Sequence, residues 1–314
     1  MILTLVTVVL PVFLVIAGGY AATRFGLFPP TGVDGLMIFT QNFAVPCLLF
    51  RGIVDLDLGT VFDARLMISF YTGAVICFAA GILGVRHIFN RRPGEAVAIG
   101  FGALFSNSLL LGIPIMERAY GAGALAPNFA ILSIHAPFGY LLGITVMEFI
   151  RADGRGLKGT IQAVARALFR NALMIGLLLG FLVNVSGIDL PEPPRVAVDM
   201  MADAALPAAL FGLGGVLTRY GIRGSLGETA LIAFLSLILH PAIAYGLSEL
   251  YFGLPPEFVR SAVVTASMAP GVNAYVFANL YDRGQAEAAS VVLLATAASV
   301  ITVSVWLSIL GGVP

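Results

Sequence analysis

Long apolar runs separated by short polar connections follow one another along the whole chain. A membrane-crossing helix needs about 20 apolar residues, and ten runs approach or exceed that length. The first run has no basic segment before it and is longer than the apolar part of a signal peptide, so we interpret it as a membrane helix. The ten predicted transmembrane helices cover residues 2–22, 34–51, 65–84, 95–118, 127–150, 168–187, 196–218, 227–248, 257–280 and 287–310.

The composition supports this pattern. Of the 314 residues, 59% are hydrophobic and 11% are charged, whereas soluble domains carry about 25% charged residues. The 17 basic and 17 acidic residues cancel, so the chain lacks the basic surface that nucleic-acid binding requires. The sequence therefore predicts an all-α integral membrane protein with lipid as its partner and no nucleic acid.

Basic residues alternate between rich and poor loops. Cytoplasmic loops carry the excess of Lys and Arg in membrane proteins, and the alternation is clearest when the N-terminus is placed outside. The residues then assigned to inner loops are Arg24, Arg86, Arg91, Arg92, Arg151, Arg155, Lys158, Arg166, Arg170, Arg219, Arg223 and Arg283. This distribution predicts that both termini lie on the non-cytoplasmic side.

One motif occurs in both halves of the chain. Asn42–Phe50 in the second predicted helix matches Asp203–Phe211 in the seventh, with Ala, Pro, Leu and Phe at the same positions. The two segments are five helices apart, an odd number, so the repeats have opposite orientations in the membrane. We predict two inverted five-helix repeats, residues 1–150 and 167–314, joined by a cytoplasmic linker at 151–166. Chance similarity of short apolar segments is the alternative.

The fourth and ninth predicted helices contain paired interruptions. Asn, Ser, Gly and Pro occur at the centre of each apolar run, where proline removes a helical hydrogen bond. Irregular backbone at this depth is tolerated where it lines a cavity or is buried in protein, and paired breaks point to a transporter site. Plain kinks are the alternative. The candidate substrate-binding residues are Asn42, Asn107, Ser108, Gly112, Pro114, Pro270, Gly271, Asn273 and Tyr275.

The predicted site favours an anion. A helix that restarts after a break presents free N–H groups and a partial positive charge at its N-terminus. No Lys or Arg lies near the middle of a predicted helix, so these backbone groups and the side-chain amides would have to hold the negative charge.

Two ionisable residues inside predicted helices are candidates for ion coupling or gating, because a charge at that depth is costly and often functional. His135 could titrate near neutral pH, and Asp203 stands opposite Asn42 in the repeat. A structural hydrogen bond to a broken helix is the alternative for Asp203. We predict no catalytic residues, no metal and no cofactor, and the coupling ion is left open between Na⁺ and H⁺.

Several motifs in order resemble those of the auxin efflux carrier family, in its bacterial members. They are Arg24–Leu27, Asn42–Phe50, Asn107–Pro114 and Ala269–Ala274. The resemblance implies a fold like that of plant auxin carriers and bile-acid sodium symporters, with crossed fourth and ninth helices that bind substrate. Ala274 departs from plant carriers, which have a second proline there, and the short linker replaces a long cytoplasmic loop.

The expected function is secondary-active transport of a small organic anion by alternating access in the bacterial inner membrane. The resemblance implies a carboxylate such as malate or malonate, or an auxin-like acid. A sodium-coupled symporter of organic or bile-like acids, an anion channel or sensor, and an intramembrane enzyme are the alternatives, although no catalytic constellation is evident. A homodimer is left open.

Overall fold

The computed structural model describes residues 5–151, 172–222 and 224–311. Apart from residue 151, the predicted linker at 151–166 lies outside the described residues, and so do positions 2–4 and 168–171 of the first and sixth predicted helices.

The described part of the chain is helical and contains no named strand. Seven of its helices are long and apolar enough to cross a membrane. These are α1 (Val6–Arg24), α2 (Pro30–Val54), α3 (Ala64–His87), α6 (Ala122–Ile150), α8 (Glu192–Leu217), α9 (Leu226–Tyr251) and α12 (Gln285–Leu310). An integral membrane protein is thereby supported, while the number of ten crossings and the inverted repeat stay predictions.

Shorter helices occupy the rest of the predicted segments. The fourth is divided into α4 (Pro93–Leu104) and α5 (Ile113–Tyr120), and the ninth into α10 (Pro256–Ala266) and α11 (Val272–Leu280). The described part of the sixth is α7 (Ala172–Ser186), and a single turn at Leu58–Val61 follows α2.

Five wide, π-helical segments occur among the described residues, and four of them end two residues before a proline. Leu5–Val9 precedes Pro11, Thr40–Ala44 precedes Pro46, Ser108–Gly112 precedes Pro114, and Leu235–Leu239 precedes Pro241. Proline cannot donate to the carbonyl four residues back and its ring crowds that carbonyl. An extra residue in the turn relieves the crowding, and such turns are frequent at functional sites.

The chain forms two compact units. Unit 1 takes its described residues from Met1–Leu10, Phe62–Ile161 and Tyr220–Pro314, and unit 2 from Pro11–Val61 and Gln162–Arg219. Each unit thus draws on both halves of the sequence. Compact units are defined by contacts, whereas repeats are defined by internal symmetry. The predicted repeats at 1–150 and 167–314 therefore stay a prediction.

Unit 1 has a tightly packed apolar interior around α3, α9 and α10. Phe70 of α3 and Val263 of α10 are fully buried in it, and Trp306 of α12 donates its indole N–H to the carbonyl of Leu237 at 3.0 Å. This interior supports the broken segments of the same unit.

Unit 2 is held together by close helix contacts at glycines. A methyl group at Gly19 would lie 1.9 Å from the carbonyl oxygen of Phe211, and one at Gly214 would lie 1.9 Å from that of Ile16. Small residues let membrane helices approach closely and gain van der Waals contact. Here they bring α1 and α8 together.

Candidate functional site

Both predicted helix breaks are present in unit 1. After α4 ends at Leu104, residues 105–107 leave the helical conformation, and the chain restarts at Ser108. After α10 ends at Ala266, residues 267–271 are non-helical, and α11 starts at Val272. We call these two segments, 105–107 and 267–271, the crossing.

The two segments of the crossing pair through their backbones. Ser106 and Pro270 form an isolated antiparallel bridge. The N–H of Asn107 donates to the carbonyl of Ala269 at 2.8 Å, and the N–H of Gly271 donates to the carbonyl of Phe105 at 3.1 Å. The two donors are the residues that follow Ser106 and Pro270, and Pro270 itself has no N–H that would need a partner. This pairing satisfies polar backbone groups that would be costly to leave free inside a membrane.

Polar side chains surround the crossing. Asn107 is 8% exposed, and the hydroxyls of Ser106 and Ser108 lie 2.6 Å apart. Asn273 accepts a hydrogen bond from the hydroxyl of Tyr140 at 3.1 Å. The predicted residues Asn107, Ser108 and Asn273 thus stand in or immediately after the two breaks.

The glycines and the first proline of the predicted set are also close to the crossing. A methyl group at Gly271 would meet Asn107 at 3.5 Å, and one at Gly112 would meet Met268 at 3.4 Å. Pro114 is buried in the first turn of α5. Tyr275 lies farther along α11, where its ring packs against that of Tyr220 at 4.9 Å.

A helix restarts immediately after each break. The chain resumes helical geometry at Ser108 and at Val272, and the first N–H groups of a helix have no intrahelical acceptor. The sequence has no Lys or Arg between Arg92 and Arg118, or between Arg260 and Arg283. Backbone N–H groups, serine hydroxyls and asparagine amides are therefore the donors that these segments can offer to an anion.

His135 contacts the first break. Its Nε2 lies 3.3 Å from the carbonyl oxygen of Ser106, and its ring centroid lies 4.7 Å from that of Phe105. The side chain is 4% exposed. The structure thus brings this candidate coupling residue into contact with the crossing.

Asn42 and Asp203 belong to unit 2 and are described there. Asn42 lines a largely apolar cavity of about 390 Å³ together with Pro46, Cys47 and Phe50. Asp203 is 73% exposed in its side chain and binds Arg51 at 2.7 Å. A partner for the carboxylate is thereby identified, while roles in gating or coupling stay predictions for both residues.

Sequence reasoning missed two residues that support the crossing. Tyr140 of α6 reaches Asn273, and Ser236 of α9 donates to the carbonyl of Met268 at 3.3 Å. Each is one of several scattered polar residues in a mainly apolar helix, a pattern that also fits ordinary packing. The proline-associated wide turn that contains Ser236 is the one local signal that could have drawn attention to it.

Comparison with known proteins gives matches to membrane transporters. The model of a family described as "Membrane transport protein" matches residues 4–154 and 155–307. A protein of Rhizobium meliloti (strain 1021) named "Putative malonate transporter" is 26% identical over 94% of this chain and 92% of its own length.

Two further relatives extend the comparison. An uncharacterized transporter of Methanothermobacter thermautotrophicus is 25% identical over 95% of this chain and 96% of its own length. Auxin efflux carrier component 8 of Arabidopsis thaliana is 23% identical over 88% of this chain and 89% of its own length. The relatives are named as transporters and carriers, and none of these names is that of an enzyme. The chain belongs to the membrane transport protein family of auxin efflux carriers, as its motifs predicted.

Proposed function

We propose that this membrane transporter carries a small carboxylate across the bacterial inner membrane by alternating access. The observation that carries the proposal is the crossing, in which Asn107 and Gly271 join two interrupted helices by backbone hydrogen bonds. Paired breaks of this kind form the substrate sites of many secondary transporters near the middle of the membrane.

The donors at the crossing favour a carboxylate as substrate. A carboxylate accepts hydrogen bonds from several N–H and O–H groups at once, and helix N-termini add a favourable partial charge. Ser108 and Asn273 stand in the first turns of the two restarting helices. We propose that Ser108, Asn273 and Asn107 donate hydrogen bonds to the anion. Gly271 has no side chain and so leaves the space that the anion occupies.

The relatives narrow the choice of anion. One is named for malonate and one for auxin, and both ligands are carboxylic acids. The Rhizobium relative is matched over 92% of its own length, which makes malonate our first candidate, with malate and indole acids as further members of the class.

The wider architecture is part of the same proposal. We propose ten crossings in two inverted repeats, with both termini on the non-cytoplasmic side. Proline residues at equivalent places, Pro46 and Pro207, and the paired breaks support it. Inverted repeats are related by a pseudo-two-fold axis in the membrane plane, and exchanging the conformations of the two repeats exposes a central site first to one side and then to the other.

A thermal-shift screen of the purified protein tests the substrate. Malonate, malate, simple monocarboxylates, indole acids and bile acids are added with and without sodium, because a ligand that binds the folded state raises the apparent stability. We expect a shift with at least one small carboxylate, and then saturable uptake of that compound into proteoliposomes. Binding without flux would indicate a sensor, and unsaturable flux a channel.

A pair of variants tests the place of binding. Asn107→Leu should remove the ligand-induced shift, because an amide donor is replaced by an apolar group of similar size. Asn279→Leu is the control, since Asn279 is exposed near the end of α11. If Asn107→Leu kept the affinity of the natural sequence, the crossing would not be the binding site.

A further inference from the structure

Unit 1 contains two buried histidines with vacant ring nitrogens. His135 of α6 is 4% exposed and His240 of α9 is 1% exposed. The Nδ1 atoms of both rings are buried and have no hydrogen-bond partner among the described residues. Buried polar groups are paired in the great majority of cases, so two vacant nitrogens in one unit call for an explanation.

The opposite ring nitrogens are occupied. Nε2 of His135 lies 3.3 Å from the carbonyl oxygen of Ser106, and Nε2 of His240 lies 3.1 Å from that of Phe70. A carbonyl can only accept, so each Nε2 carries the hydrogen. Each Nδ1 is then an unoccupied acceptor that can bind a proton.

Phe70 connects the two rings. Its centroid lies 5.5 Å from that of His135 and 4.9 Å from that of His240. The edge of an aromatic ring carries a partial positive charge and its face a partial negative charge. The interaction of the Phe70 ring with each imidazole therefore changes when that imidazole gains a proton. We call these three residues the histidine pair and its bridging ring.

Few other ionisable groups face the pair. The ring of Tyr71 lies 6.5 Å from that of His135, and its hydroxyl donates to the carbonyl of Ile131 at 2.8 Å. None of the ion pairs found among the described residues involves either histidine. The charged and titratable residues of the helices that carry the pair or pack against those helices lie at or near helix ends, and they are Arg65, Arg86, His87, Glu95, Glu117, Arg118, Glu148, Glu228, Glu249, Glu257, Arg260 and Glu287.

An anion at the crossing would favour a positive charge on the histidine pair. His135 contacts Ser106 directly, so a carboxylate bound by the neighbouring donors would be close to the pair. A nearby negative charge favours the protonated form of an imidazole, and no Lys or Arg is available in these segments to neutralise the anion. Binding free energies are reciprocal, so a proton on the pair would strengthen anion binding by the same factor.

From this geometry we propose that His135 and His240 form a shared proton-binding site, which takes up one proton when a carboxylate binds at the crossing. Proton and anion would then move together, with one negative charge fewer to bury in the membrane. This inference rests on the proposed function and adds a coupling ion to it.

Calorimetric titration of the purified protein with malonate tests the inference. Heats measured in two buffers of different ionisation enthalpy give the number of protons taken up per malonate bound. At neutral pH we expect the free pair to be deprotonated and the pair beside a bound anion to be protonated, so uptake should approach one proton. We also expect the affinity to fall by up to about tenfold per pH unit as the pH rises.

Three variants assign the proton. His135→Gln and His240→Gln, alone and together, keep an N–H donor for the carbonyl but cannot bind a proton. His87→Gln is the matched control, because His87 is the third histidine of the chain and is exposed at the end of α3. Malonate is the same in every titration, so its own protonation cancels in the comparison.

The outcomes separate this inference from the proposed function. Uptake in the natural protein and in His87→Gln, with loss in the double variant, supports the histidine pair. Malonate binding without proton uptake in the natural protein overturns the pair as a proton site and leaves the transporter proposal intact, and so does uptake that persists in the folded double variant. Absence of malonate binding at every pH refutes malonate as the ligand, and the inference falls with it.

Discussion

At the scale of single residues, a buried cluster of charges stabilises unit 1 away from the crossing. Arg91, in the connection after α3, binds the carboxylate of Glu228 through two nitrogens at 2.6 and 3.0 Å. It also binds Glu287 at 2.6 Å. The side chain of Glu228 is 1% exposed, and among the described residues Arg91 is the cation that binds it. Substituting Arg91 takes this cation away from a buried carboxylate.

We therefore expect Arg91→Met to lower the free energy of unfolding by about 3 kcal/mol, near the low end for breaking a buried pair because Arg91 is partly exposed. Thermal unfolding in detergent measures the loss. Adding Glu228→Gln to Arg91→Met should restore part of the stability, since the amide needs no cation.

The control for this loss is Arg65→Met. Arg65 binds Asp63 at 2.6 Å but is 53% exposed, and exposed ion pairs contribute about 0–1 kcal/mol. Equal losses at Arg91 and Arg65 would contradict the buried role of the cluster around Glu228.

Individual site residues were predictable where their chemistry conflicts with their surroundings. Asn107 and Asn273 stand out because an amide in an apolar run has to be paired or functional. Tyr140 and His240 did not stand out as site residues, since aromatic and amphipathic side chains also fill apolar interiors. Their relation to the crossing depends on contacts between helices that a sequence pattern does not specify.

At the scale of elements, the packing of α1 on α8 depends on which glycine of a neighbouring pair faces the contact. A methyl group at Gly19 would collide with the carbonyl of Phe211, while one at Gly18 would meet nothing within 4 Å. We expect Gly19→Ala to destabilise unit 2 by about 1–3 kcal/mol, because the helices must separate.

Gly18→Ala serves as the control in the same helix. Alanine has the higher helix propensity, so this change should be neutral or stabilising by up to about 1 kcal/mol. Thermal unfolding of both variants measures the difference. Similar melting temperatures for the two would show that α1 and α8 do not make this close contact.

The crossing itself can be tested through one hydrogen bond. Gly271 has φ −78°, which proline also adopts, so Gly271→Pro keeps the conformation but removes the N–H that binds Phe105. A carbonyl left unpaired in a buried place costs about 1–3 kcal/mol. We expect this loss in thermal unfolding, together with a weaker ligand-induced shift.

Gly271→Ala keeps the N–H and adds a methyl group in ordinary contact with Asn107 at 3.5 Å. It should therefore retain the stability that the proline variant loses. If both variants behaved alike, the hydrogen bond between the two segments would not contribute to the crossing.

The existence of the breaks was predictable, but their pairing was not. Proline and glycine at the centre of an apolar run mark where a helix stops, which placed the breaks near residues 107 and 270. The hydrogen bond between Asn107 and Ala269 joins residues that are far apart in sequence. No local pattern carries that information, and only the resemblance to a family implied that the two helices cross.

At the scale of the whole molecule, the lengths of the apolar runs identified the membrane class and most helices, because the requirement for apolar length is strict. These lengths do not predict which helices group into the two compact units. Phe62–Ile161 belongs with Tyr220–Pro314, whereas Pro11–Val61 belongs with Gln162–Arg219. Which helices pack together depends on small-residue contacts such as Gly19 with Phe211, and hydropathy does not distinguish these from lipid-facing positions.

The proposed orientation of the chain can be tested with single cysteines. Cys47 and Cys77 are free and would first be replaced by alanine. Asn90 is exposed after α3, in a predicted inner loop, and Ile188 is 66% exposed after α7, in a predicted outer loop. The excess of arginine beside Asn90 and its scarcity beside Ile188 predict opposite sides of the membrane.

We therefore expect a membrane-impermeant maleimide to label Ile188→Cys on intact spheroplasts, and to label Asn90→Cys only after the membrane is made permeable. The two positions are the matched control for each other, since both are exposed loop residues with equal chemical access once the membrane is opened. Labelling of Asn90→Cys on intact spheroplasts, with Ile188→Cys protected, would invert the orientation. Labelling of both would mean that an even number of crossings separates them and would remove the five-helix repeat.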